Sequence, residues 1–218
     1  MANASKESIG NVLFVAIGVS LVCSILVASA AVILKPRQLL NEEEYRQRII
    51  LDVAGLYGPG IDIGAAYGAI EETSTELATG EQVPIYLVKD GARIEQVILP
   101  IEGAGLWATM YGFLAVEADG KTALGLQFYE HGETPGLGDA VDKPAWREQW
   151  KGKRLFDDDG NPLIEVVKGP APEGSDYQID GLAGATLTGR GVSVFVRHWI
   201  GEQGYGPYLR SLGEEESQ

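Results

Sequence analysis

Two threonines stand in a stretch with little bulk around them, Asp180-Gly181-Leu182-Ala183-Gly184-Ala185-Thr186-Leu187-Thr188-Gly189-Arg190-Gly191. Glycine admits φ > 0 and lets a bulky group approach the backbone closely. Gly184 and Ala185 therefore leave the Thr186 hydroxyl open to approach. An apolar run of helical length follows, with Val192, Val194, Phe195, Val196, Trp199 and Ile200. The stretch reads as a small-residue turn feeding a helix, with two hydroxyls at the helix start. Backbone N–H groups at such a start attract phosphate, so the place suits holding a phosphate or attaching one to a threonine oxygen. The plainer alternative is that Thr186 or Thr188 is the N-cap, a role threonine often takes.

Two further segments have chemical character. Tyr129-Glu130-His131-Gly132-Glu133-Thr134-Pro135-Gly136-Leu137-Gly138 ends a strand in a tight Gly/Pro turn, which sets Glu133 and Thr134 beside exposed backbone; the plain alternative is a connecting turn. Upstream lies Gly105-Leu106-Trp107-Ala108-Thr109-Met110-Tyr111-Gly112. Lys168 ends the last strand before the Thr186 stretch, where its ammonium meets either a phosphate or solvent. Glu133 has the chemistry of a base, His131 reads as a turn residue, and Trp107, Trp146, Trp150 and Trp199 read as core.

Other chemistries are excluded by composition. Cys23 is the one cysteine among 218 residues, and His131 and His198 are the only histidines. No intrachain disulfide, cysteine-ligated iron–sulfur cluster or multi-histidine metal site can form, so redox chemistry would need an organic cofactor. The chain carries 31 acidic and 17 basic residues, a net charge of −14. Residues 1–37 contribute Lys6, Lys35, Arg37 and Glu7, which leaves 30 acids and 14 bases, or −16, for the remainder. Such a surface repels nucleic-acid phosphates and anionic lipid head groups alike, and the charge reads as a solubility device.

Asp180-x-x-x-Gly184-Ala185-Thr186 resembles the flavinylation motif of the FMN-binding subunits of the sodium-translocating NADH:quinone reductase and the related Rnf complex. Glu133-Thr134-Pro135-Gly136-Leu137-Gly138 and Gly105-Leu106-Trp107-x-x-Met110-Tyr111-Gly112 are similar to two more motifs of that family, in the same order. The Leu-Trp-x-x-Met-Tyr-Gly form, followed by Phe113-Leu114-Ala115-Val116, resembles the C subunits of the reductase more than the Rnf G subunits. The chain departs from the family at Ala183, where a Ser or Thr hydroxyl is usual.

The resemblance implies one covalent FMN per chain, bound through a phosphoester at Thr186, with Asp180, Gly184, Ala185, Leu187 and Thr188 around it. It implies that the loop of Glu133, Thr134, Gly136 and Leu137 lies against the flavin, Thr134 giving polar contact and Leu137 packing on the ring. Lys168 would pair with the phosphate or with the N1–C2=O edge. The implied role is electron relay within a membrane complex, with no catalytic side chain, no resident metal and the soluble domain in the periplasm. Implied partners are the other membrane subunits and a flavin transferase, which uses FAD and a divalent metal during maturation. A reading from another class is a membrane-anchored module that binds a phosphorylated ligand without covalent attachment at residues 181–189.

The elements that must position these segments follow from periodicity. Residues 1–11 form a short tail. Val12 to Leu34 is 23 residues without a charge, long enough to cross a bilayer and contact its lipid. Ala28-Ser29-Ala30 has the form of a cleavage site, but the apolar run continues past it, which favours an uncleaved anchor. A soluble domain then spans 38–218. Asn41 to Leu56 reads as a helix capped by Asn41, with Glu42, Glu43 and Glu44 in its first turn. Residues 57–82 are Gly-rich and then polar, with a short amphipathic helix. A hairpin follows over 84–101, turning at Lys89-Asp90-Gly91, and a second pair of strands turns at Asp119-Gly120. Pro144–Trp150 reads as a short helix, Asp158–Pro162 as a loop and Leu163–Lys168 as a strand. The fold class is α+β: one transmembrane helix, then an antiparallel-sheet domain with flanking helices.

Overall fold

The computed structural model describes residues 9–216, so residues 1–8 of the expected tail lie outside the described residues. By their internal contacts the residues divide into a unit up to Tyr45 and a unit from Arg46 onward. A single helix α1 runs Ile9–Val53 and contains Pro36. It is the one helix, among the described residues, long and apolar enough to cross a membrane. The expected break into two helices, with Asn41 as a cap, does not occur. A proline inside a helix removes one N–H donor and kinks the chain, and here the helix continues beyond it.

The second unit is built on a six-stranded antiparallel sheet in the order β1–β6: β1 Ile70–Glu76, β2 Gln82–Asp90, β3 Arg93–Ala104, β4 Thr109–Glu117, β5 Thr122–Glu130 and β6 Lys153–Arg154. The antiparallel sheet and its flanking helices match the expected class. Both expected hairpins form, with Gly91 at φ +61 and Gly120 at φ +67 in their turns. β1 falls in the stretch 57–82, read as Gly-rich and then polar, where no strand was expected. Its backbone pairs with β2 along its whole length, Ile70 to Val88 through Glu76 to Gln82. Four of its side chains in a row are exposed, as suits a polar edge strand.

The central strands are buried on both faces, and their side chains alternate between two cores. Ile85, Leu87, Val97, Leu99, Leu114 and Val116 belong to one core. Tyr86, Val88, Ile98, Phe113 and Ala115 belong to the other, against Ile49, Ile50 and Val53 at the end of α1. This is the period-two side-chain geometry of a strand with both faces covered. Helix α2, Ile63–Tyr67, is capped by Asp62, whose Oδ1 accepts from the Ala65 amide at 3.0 Å. After β5 come a 3₁₀ turn at Gly138–Asp142, α3 at Pro144–Arg147 and another 3₁₀ turn at Glu148–Trp150.

The strand expected over 163–168 shrinks to β7, Glu165–Val166, paired in parallel with β8, Gln178–Ile179. Helix α4 spans Thr186–Ile200 and covers the first core with Val192, Phe195, Val196 and Ile200. The last described element is α5, Gly206–Glu216, where Leu209 and Leu212 join Tyr205 in the same core.

Candidate functional site

β3 ends at Ala104 opposite Thr109, the first residue of β4, and β5 ends at Glu130 opposite Tyr111. Loops 105–108 and 131–137 therefore leave the sheet from the same end. Helix α4 is laid against that end. A Cβ at Gly191 would stand 2.6 Å from the Ala104 carbonyl oxygen, and a Cβ at Gly103 would collide with the Phe195 side chain. Glycine at both positions allows this close approach of helix to strand.

Thr186 is the first residue of α4, and Ala185, with φ −131 and ψ 47, holds the N-cap position without a side-chain cap bond. The first helical bond links the Gly189 amide to the Ala185 carbonyl at 3.2 Å. The amides of Thr186, Leu187 and Thr188 thus have no backbone or side-chain acceptor among the described residues. Thr186 is exposed, as is Leu187 at 59%. Neither threonine is the expected N-cap. Thr188 lies inside the first turn, fully buried, and its hydroxyl donates to Oε2 of Glu133.

Glu133 is 6% exposed. Its Oε1 accepts from the amides of Leu106 at 2.7 Å and Trp107 at 3.3 Å. Gly138 makes room, since a Cβ there would stand 2.6 Å from Oε2, and a Cβ at Gly105 would collide with Oε1. The Glu133 amide donates to Nδ1 of His131 at 3.3 Å, and the other ring nitrogen meets Asp142 Oδ2 at 2.8 Å. His131 is thus the expected turn residue. Buried carboxylates need such partners, because an unpaired one is costly. The next four residues form a turn closed by the Leu137 amide on the Thr134 carbonyl at 3.1 Å, with Gly136 at φ +79. Pro followed by a positive-φ Gly is the sequence a type II turn requires. Thr134 is exposed. Leu137 is 44% exposed and lies over Gly184, where a Cβ would come within 2.7 Å of its Cδ2.

Asp180 braces the loop from behind. Its Oδ1 accepts from the Ala171 amide at 2.7 Å and its Oδ2 from Gln149 Nε2 at 3.1 Å. Its carbonyl accepts from Trp146 Nε1 at 2.9 Å. The Gly181 amide donates to the Gly169 carbonyl at 2.7 Å, which ties the chain next to Lys168 to the start of the loop. Lys168 is exposed, two residues past the end of β7, with no acidic partner among the described residues. The structure therefore draws the 105–108, 133–138 and 184–188 segments together and leaves Asp180 as scaffold.

Trp107 contradicts its reading as core: it is 71% exposed, while Trp146 and Trp150 are buried and Trp199 is packed against the core. Gly105, two residues before it, is the sequence signal that could have marked a loop there, and in the structure that glycine is crowded by Glu133.

The model of the FMN-binding domain family matches residues 105–201, from the loop after β3 to the end of α4. The C subunit of the Na(+)-translocating NADH-quinone reductase of Vibrio parahaemolyticus is 41% identical, over 96% of this chain and 97% of its own. That of Yersinia pestis is 42% identical, over 96% and 95%. The chain belongs to the NqrC family, the C subunits of the Na(+)-translocating NADH-quinone reductases. As a member it is part of an oxidoreductase complex, in line with the resemblance its three motifs carry. The crystal structure of NqrC from Shewanella oneidensis superposes with a TM-score of 0.72 at 30% identity, covering 80% of this chain and 99% of that one.

Proposed function

We propose that Thr186 carries one FMN as a phosphoester on its hydroxyl, and that this NqrC family member relays electrons between neighbouring redox centres of the reductase at the periplasmic side. One observation carries the reading. An exposed threonine opens an uncapped helix whose first turn is tied through Glu133 to the 105–108 loop and the 133–138 turn, and these segments leave Leu106, Trp107, Leu137 and Leu187 exposed. Large apolar side chains held exposed on three segments fastened to one another suit a ligand that covers them. The donor set fits a flavin phosphate: three amides without acceptors meet the phosphate oxygens, and the apolar side chains offer surface to a planar ring.

The flavin supplies one-electron redox chemistry that no side chain here provides. The chain holds and shields it. Gly184 and Ala185 keep bulk away from the attachment oxygen, Leu137 packs on the ring, Thr134 gives polar contact and Lys168 offsets negative charge. Glu133 and Gly136 hold the turn that carries Thr134 and Leu137, and Asp180 holds the loop that carries Thr186. Thr188 anchors the first turn of α4. In maturation the Thr186 oxygen attacks the flavin-side phosphorus of FAD on a separate transferase with a divalent metal; the P–O–P bond breaks, AMP leaves and the hydroxyl proton goes to solvent. Residues 12–34 anchor the chain in lipid beside the other membrane subunits, with residues 38–218 in the periplasm.

The test is a tryptic digest of the full chain co-expressed with a flavin transferase, with mass spectrometry of the peptide from Gly169 to Arg190. The FMN increment is expected on that peptide in the wild type and in Thr186→Ser, and is absent in Thr186→Ala. An unmodified wild-type peptide, or an increment that survives Thr186→Ala, refutes the attachment. A reporter fused after Gln218 should be active only in a form that works in the periplasm; cytoplasmic activity would overturn the orientation.

A further inference from the structure

A carboxylate is buried where the 105–108 loop and the first turn of α4 converge on residue 133. Glu133 makes no ion pair among the described residues, yet its two oxygens take three donors from two other segments. Oε1 holds the amides of Leu106 and Trp107, and Oε2 holds the Thr188 hydroxyl. Its own backbone leads directly into the turn Thr134–Leu137. The same side chain thus fastens the loop that displays Leu106 and Trp107, the turn that displays Leu137, and the first turn of the helix that opens with Thr186. Glycines at 105 and 138 are fitted round it, so that neither position has room for a side chain. At 6% exposure, with both oxygens accepting from groups of the chain itself, Glu133 reads as a structural acceptor and not as a base at the flavin.

We propose that Glu133 is the positioning residue of the flavin site, clamping the three segments into one wall while touching no cofactor atom itself. The proposal rests on the flavin-carrier reading. The clamp needs an acceptor at the reach of a glutamate side chain. Glutamine keeps one oxygen for both amides and turns its NH₂ to the Thr188 hydroxyl, which can accept. Aspartate, one methylene shorter, cannot span from the amides to Thr188.

The test uses the full chain co-expressed with a flavin transferase, as Glu133→Gln, Glu133→Asp and Glu133→Ala. Amide hydrogen exchange is read at Leu106 and Trp107, and the visible flavin spectrum and midpoint potential are recorded. Tyr205→Phe is the control. It removes a buried hydrogen bond of 2.8 Å to the Pro100 carbonyl, away from the site. Glu133→Ala and Glu133→Asp should exchange the two amides about 10-fold faster or more and shift the flavin band and potential. Glu133→Gln should stay within about 2-fold at both amides with the wild-type band. The control should melt earlier with both readouts unchanged.

If Glu133→Ala does not fold, Glu133→Asp decides. Wild-type protection with wild-type spectrum and potential in the Ala or Asp variant overturns the proposal. So does faster exchange with an unmoved spectrum and potential, or a Gln variant as impaired as Ala. A wild-type chain without covalent flavin overturns the carrier reading, and this proposal with it. A flavinylated wild type with an indifferent Glu133→Ala overturns this proposal alone.

Discussion

Thr186 and Thr188 are two residues apart on one helix turn, and the structure gives them opposite sensitivities. Thr188→Val replaces a hydroxyl by a methyl of nearly equal volume at a fully buried position. What is lost is the bond to Glu133 Oε2, leaving a buried carboxylate oxygen without its donor. A hydrogen bond to such a group contributes about 1.5–3 kcal/mol. For a folded body of this size, about 1 kcal/mol moves Tm by roughly 2–4 °C, so the variant should melt roughly 3–12 °C lower. Thr186→Val sits at an exposed position and removes no cap, because Ala185 holds the cap position. Its change should stay within about 0.5 kcal/mol, or about 2 °C. The chemical outcome is reversed: Thr186→Val carries no covalent flavin, whereas Thr188→Ser keeps its donor and its flavin. Melts of the detergent-solubilised full chain by circular dichroism, made without the transferase so that no bound flavin adds stability, give the first comparison. Intact mass after co-expression gives the second. Equal losses of Tm at the two positions, or a Thr188→Val that melts with the wild type, would refute the account of Thr188.

Two other predictions concern parts of the same fold. Leu137→Ala removes the side chain that covers Gly184, and Thr134→Val a polar group on the same turn; each should shift the visible spectrum or midpoint potential while the far-UV circular dichroism holds, and no shift in either would return residues 133–138 to a plain turn. Gly120→Ala puts a Cβ at φ +67 and into the Leu209 carbonyl of α5; the expected loss exceeds about 2 kcal/mol with the mass of the flavin peptide unchanged, and a variant as stable as wild type would refute it.

What the sequence determined by itself was whatever depends on neighbours along the chain. The uncharged run at residues 12–34 needs only its length and composition to be read as a span. The two hairpins needed only alternating apolar residues and a glycine able to reach φ > 0 at Gly91 and Gly120. The three glycine-rich motifs were visible as motifs. The final helix α5 was not read from the sequence, although Leu209 and Leu212 stand three apart on its buried face. Local signals misled where they permit a change without forcing it. Pro36 and Asn41 suit a break and a cap, but α1 runs through both. β1, with its run of Glu, Thr and Ser, has no apolar alternation to betray it, and only its backbone pairing with β2 makes it a strand.

The site's inner side was decided in three dimensions. Glu133 and Thr188 are 55 positions apart, and neither residue type announces the other. A glutamate after a glycine reads as a solvated turn or a base until the return of α4 to the end of the sheet closes over it. Trp107 reads as core by its size and is exposed, because its loop is held by backbone amides and leaves the side chain free. Patterns along the chain report which face a residue shares with its neighbours in sequence. Which distant donor fills a buried acceptor depends on how strands and helices pack, and that is where the division of labour between Thr186 and Thr188 was set.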